Sequence, residues 1–220
     1  MNIEMIASLV VVLLSLILGL RLLARNRQRP RPHTLWYAVG LILTALAGLP
    51  EFWYHAFKSV PQVLWWDYWV TASALVGFLA VGTSYLLSRK FGVASLVTVL
   101  GLTVWLTVAT VMTAGPAPTV ELETAFRSAP TAAIKLPFLL MNIAGAMVIF
   151  AGAIYSLIRT RLLYNLWIAL GTLSFSAGGA LAGLLQFPGV FAFTQIAGIV
   201  LLYLGVSQSI KPRKKGSMAA

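Results

Sequence analysis

Residues 4–31 read EMIASLVVVLLSLILGLRLLARNRQRPR, and how this stretch is divided decides the fold. No charge falls between Glu4 and Arg21, after which arginines stand at 21, 25, 27, 29 and 31. An apolar run of about 20 residues, rising about 1.5 Å each as a helix, matches the hydrocarbon core of a bilayer. Basic residues crowded at one end of such a run mark the cytoplasmic side, because short loops rich in Lys and Arg are retained there.

The pattern repeats. Apolar runs occupy about 4–24, 35–56, 63–87, 92–114, 134–158, 163–185 and 190–209. Threaded with the amino terminus outside, they put 13 of the 16 Lys and Arg residues on the cytoplasmic side. The other side holds Lys58, Arg127 and Lys135 with all five acids, Glu4, Glu51, Asp67, Glu121 and Glu123. The expected fold is therefore all-α, with seven transmembrane helices, an outside amino terminus and a cytoplasmic carboxyl terminus. Residues 1–210 form one membrane domain and 211–220 a basic cytoplasmic tail. The expected location is the cell membrane, as a multi-pass protein.

Composition narrows the function classes. With 60% hydrophobic and 10% charged residues, the chain needs lipid or protein around it. The net charge of +11 does not point to nucleic acid, because its basic residues lie in short turns and a tail, where orientation and anionic headgroups account for them. The absence of cysteine excludes disulfides, thiolate metal sites and cysteine nucleophiles. Glu4 stands where a signal peptide would carry basic residues, so the first run reads as a retained helix.

Ser88-Arg89-Lys90-Phe91-Gly92 and Phe187-Pro188-Gly189 are tight turns. The exception is 115–133, an outer crossover in which Thr119 suits the cap of a short helix and Glu123 reaches Arg127 at i,i+4. It separates four spans from three. Leu35-Trp36-Tyr37-Ala38-Val39-Gly40 and Leu166-Trp167-Ile168-Ala169-Leu170-Gly171 open the second and sixth spans at an offset of 131. That offset lays spans one to three over five to seven, a 3+1+3 parallel repeat with the fourth span as linker. In topology this plan resembles the sugar-transporting SWEET proteins and the nicotinamide riboside-type vitamin transporters. The pattern Gly77, Gly82, Tyr85, Asn142, Gly145, Gly152, Tyr155, Asn165, Gly171, Gly178 and Gly179 resembles an uncharacterised family of small bacterial seven-helix membrane proteins. That resemblance implies no function.

Several membrane chemistries are excluded by residue count. His33 and His55 lie at opposite ends and cannot share a haem iron, no lysine falls within the seventh span for a retinal Schiff base, and Asp67 is the only aspartate. A zinc site at Glu51, His55 and Asp67 is one histidine short of the common hydrolytic sets. No cofactor and no metal are expected. What remains is a polar group at the outer end: Glu51 and His55 in span two, Asp67 in span three, Lys135 and Asn142 in span five, and Gln195 in span seven. These six are the candidate ligand-binding residues, with Lys135 expected within about 4 Å of Glu51 or Asp67. Trp53, Tyr54, Trp65, Trp66, Tyr68 and Trp69 surround them, as an interfacial belt or as the wall of an aromatic cup.

Two function classes follow: a small-solute transporter or ligand-binding protein with a polar cavity open to the outside, or a non-catalytic accessory subunit of a membrane complex. Enzymatic activity is not expected, since a hydrolase built on Glu51 and His55 lacks a nucleophile. The partners implied are the bilayer, a small-molecule ligand, and a membrane protein or second copy packed through the Gly179 and Gly183 GxxxG.

Overall fold

The structure, a computed structural model, describes residues 3–113, 115, 131–160, 166–168, 170–174 and 190–210. The described residues form helices α1 (Ile3–Gln28), α2 (Pro32–Phe57), α3 (Gln62–Leu87), α4 (Arg89–Thr113), α5 (Ala132–Thr160) and α6 (Val190–Ile210), with helical turns at 166–168 and 170–174. No strand occurs among them. Helices α1 to α5 are long and apolar enough to cross a membrane, and α6 carries the shorter apolar stretch Phe193–Gly205. Most of the sixth expected span, the crossover motif at 119–127, the Gly179 and Gly183 pair and the basic tail lie outside the described residues.

The helix ends follow from local chemistry. Between α1 and α2 the Asn26 side-chain carbonyl accepts the Arg31 backbone N–H at 2.8 Å, and Pro32 starts α2, where its missing donor costs nothing. Lys58 ends α2 in the left-handed region (φ 55°), its N–H donating to the Tyr54 carbonyl at 2.7 Å. Ser88 makes a one-residue turn: extended, it closes α3, and its hydroxyl accepts the Phe91 N–H at 3.1 Å to cap α4. Pro50 is buried inside α2, and the helix runs on past it to Phe57.

Short turns make α1, α2, α3 and α4 successive antiparallel neighbours, while α5 returns to pack on α3 and α4 and α6 packs on α1. Helix α3 is the centre and is buried over most of its apolar length; α4 and α5 are mostly exposed, presenting side chains such as Val97, Val104, Ile143 and Met147 to the surroundings. In lipid such faces need no cover, since acyl chains are as apolar as the side chains. Helices α1, α2, α3, α5 and α6, with the turns at 166–174, surround one interior.

Candidate functional site

The ends of this bundle differ in charge. The acidic end gathers the start of α1, the end of α2 and the starts of α3, α5 and α6. There the side-chain amide of Gln195 donates to both carboxylate oxygens of Glu51, at 2.9 and 3.2 Å, joining α6 to α2. Glu51 is 6% and Gln195 8% exposed, so water does not compete with these bonds. His55, one turn along α2, places Nδ1 3.3 Å from Glu4 Oε2, an ion pair when the imidazole is protonated. Two of the six candidate residues thus meet directly, and a third is tied to an acid of α1.

The other three stand apart. Asp67 is half-buried at the start of α3, where its backbone carbonyl accepts the Thr71 hydroxyl at 2.7 Å. Asn142 donates to its own helix at the Phe138 carbonyl, 2.9 Å away. Lys135 forms no ion pair with Glu51 or Asp67 within 4 Å, so the expected three-charge cluster is replaced by the Glu51–Gln195 contact. An amide satisfies a buried carboxylate without bringing a second desolvated ion into the bundle.

The aromatic group is neither an open cup nor wholly a belt. Trp69 is fully buried and Trp65 nearly so, with ring centroids 5.3 Å apart edge to face. Tyr68 stacks on Trp65 at 6.1 Å, and Phe138 of α5 meets Trp69 at 5.5 Å. These rings interlock into a packed plug between α3 and α5, while Trp53 remains exposed.

At the opposite, arginine-rich end a cavity of about 470 Å³ opens between α1, α2, α3, α5, α6 and the turns at 166–174. None of the six candidate residues lines it. Its mouth carries Arg25, Arg29, Arg31 and Arg159, all exposed, and no acid lies among the described residues that line it. Deeper, Tyr37 of α2 and Thr83 of α3 meet at 2.9 Å between oxygens. Thr83 also bonds the Leu79 carbonyl at 3.1 Å. Its single hydroxyl proton being used there, Tyr37 donates to Thr83. Thr172, also in the lining, donates to the Ile168 carbonyl at 2.9 Å. The hydroxyl protons of Tyr37, Thr83 and Thr172 are therefore committed to protein oxygens, and the remaining walls include the buried side chains of Leu41, Leu79, Ile149 and Leu202.

Close packing shapes this end. A Cβ at Gly152 would overlap the Thr83 methyl, and one at Gly171 would lie 2.8 Å from both the Gly198 carbonyl oxygen and the Leu202 nitrogen of α6. Sequence reading assigned the arginines to orientation and anionic headgroups, and met Tyr37, Gly152 and Gly171 only as positions of the repeat or of the family resemblance. The signal for a cavity was Tyr37, Thr83 and Gly152 at matching depth on three helices, just inside the arginines.

No family model matches the chain, and no curated protein or solved structure is significantly similar to it.

Proposed function

We propose that this is an integral membrane protein that binds, and carries across the bilayer, a small solute, here in a state open at its arginine-rich end and closed at its acidic end. The observation that carries the reading is the cavity, whose volume of about 470 Å³ lies within the range of small-molecule sites. At the far end the Glu51–Gln195 contact and the Trp65–Trp69–Phe138 plug fill the space between helices, as a closed gate requires. An outward-open cavity lined by Glu51, His55, Asp67, Lys135, Asn142 and Gln195 belongs, in this proposal, to the opposite state of the same carrier. With the amino terminus outside, the arginine-rich end faces the cytoplasm. The 3+1+3 plan supports a carrier: a Cβ at Gly40, ending the first matched hexapeptide, would lie 2.7 Å from the Leu79 side chain of α3, and one at Gly171, ending the second, 2.8 Å from the Leu202 nitrogen of α6. In that plan the matched glycines would seat the second span on the third and the sixth on the seventh.

The lack of native cysteine makes the test direct. A single cysteine at Ala153, in the cavity wall, should react with a membrane-impermeant maleimide from the arginine-rich side. One at buried Thr71, at the acidic end, should not react until the protein turns over. Failure of Ala153→Cys to react from either side refutes the carrier reading.

The accessory-subunit reading draws on one feature, the face of α4 along Val97, Gly101, Val104 and Val108. All four are exposed, and a Cβ at Gly101 would meet nothing within 4 Å. It requires a cysteine at Val104 to be shielded from lipid-phase reagents in native membranes and exposed in vesicles of the purified chain.

A further inference from the structure

We infer that the cavity at the arginine-rich end takes an anionic amphiphile, its carboxylate or phosphate held at the mouth by Arg25, Arg29, Arg31 and Arg159 and its apolar body reaching the floor at Leu79 and Ile149. This deepens the proposed function by naming the class of ligand, and rests on that reading of the cavity.

The charge of the head follows from the mouth. Four guanidinium groups stand there with no acid among the described lining residues, so a cation is repelled. Carboxylate and phosphate oxygens match the paired N–H donors of arginine. Orientation follows from the proton count of the floor. An anion offers only acceptors and needs donors, yet the hydroxyl protons of Thr83 and Thr172 go to helix carbonyls and that of Tyr37 to Thr83. These three hydroxyls therefore offer the anion no proton, and it stays at the arginines. Beneath it the walls reward apolar surface: Leu79 is 6% and Ile149 2% exposed, within one cluster with Val76 and Ala80. A bare inorganic anion leaves that volume without a partner. A neutral amphiphile leaves the four charges unused.

Arginines at a membrane surface attract anions without any cavity. The experiment must therefore separate adsorption from insertion. The full chain, in an uncharged polyoxyethylene micelle, is titrated by native mass spectrometry with dodecyl phosphate, dodecanol and inorganic phosphate, and separately with phosphatidylglycerol and phosphatidylcholine. One dodecyl phosphate should bind saturably; dodecanol, which lacks the charge-assisted hydrogen bonds, and inorganic phosphate, which lacks the apolar body, should each bind at least about tenfold more weakly. Replacing the four arginines by glutamine should cost about tenfold or more, and replacing them by lysine much less. Ala153→Phe should block binding with the arginines intact. Should that variant not fold, Ala153→Cys labelled after purification with a bulky maleimide fills the same space.

Phosphatidylglycerol binding that competes with dodecyl phosphate and is lost on blocking Ala153 makes the bilayer the source of the ligand; dodecyl phosphate alone makes it the aqueous phase. Either supports the assignment. Binding that survives the block, binding indifferent to the arginines, or dodecanol binding as tightly as dodecyl phosphate overturns it. The last result, with Ala153→Cys still reactive from the arginine-rich side, removes the ligand class and leaves the carrier reading standing.

Discussion

Replacing Gln195 by Leu tests the contact that closes the acidic end. The exchange keeps side-chain volume nearly constant, so the main loss is the amide that donates to both Glu51 oxygens, at 2.9 and 3.2 Å. A hydrogen bond to a charged group contributes about 1.5–3 kcal/mol in proteins, whereas interhelical hydrogen bonds in membranes average about 0.6 kcal/mol because the unfolded chain in lipid also finds partners. Here both partners are almost fully buried, at 6% and 8% exposure, and two bonds are lost together. We therefore expect a destabilisation of about 1.5 kcal/mol. The assay is reversible unfolding in mixed micelles of increasing dodecyl sulfate fraction, followed by the fluorescence of the seven tryptophans. Glu51→Gln and the double variant complete a mutant cycle. A coupling energy no greater than the about 0.3–0.5 kcal/mol of independent sites would refute the claim that this contact ties α2 to α6.

Gly171→Ala should destabilise the fold by about 1–3 kcal/mol, because its methyl meets backbone atoms of α6 that a rotamer change cannot move. The same exchange at Gly101, where the space is open, should be neutral or stabilising by up to about 1 kcal/mol; equal losses at both sites in the same unfolding assay would contradict the packing. Tyr37→Phe removes the donor to Thr83 and should cost about 0.5–1.5 kcal/mol, an effect that should vanish when Thr83 is already Val. Lys135→Met, which breaks no ion pair among the described residues, should change stability by less than about 0.5 kcal/mol; a loss above about 1 kcal/mol would point to an unrecognised partner. A periplasmic reporter fused after Ala220 should be inactive and one before Met1 active, and the reverse would invert the orientation on which the cytoplasmic reading rests.

The existence and length of α1 to α5 were legible in the sequence, because an apolar run long enough to cross a bilayer sets both. A run such as 63–87 is long enough to span lipid and flanked by turn residues, and α3 occupies Gln62–Leu87. The end of the bundle at which the described charges fall was legible too, because tight turns such as Ser88 force antiparallel neighbours and the rise per residue fixes depth along a helix. Azimuth and partner were not. Gln195 and Glu51 lie 144 positions apart, and nothing local specifies that an amide of α6, rather than Lys135 of α5, meets that carboxylate. Nor did local rules show that α2 would continue through Pro50 and aim Glu51 inward. The cavity is the clearest case. It is the space left where α1, α2, α3, α5, α6 and the turns at 166–174 fail to fill the interior, and a void belongs to no residue. Composition and periodicity determine what each helix is and how deep its polar groups sit. Only packing among helices distant in sequence decides which groups meet and where the bundle stays open, because close contact depends on the shapes of all the neighbours at once.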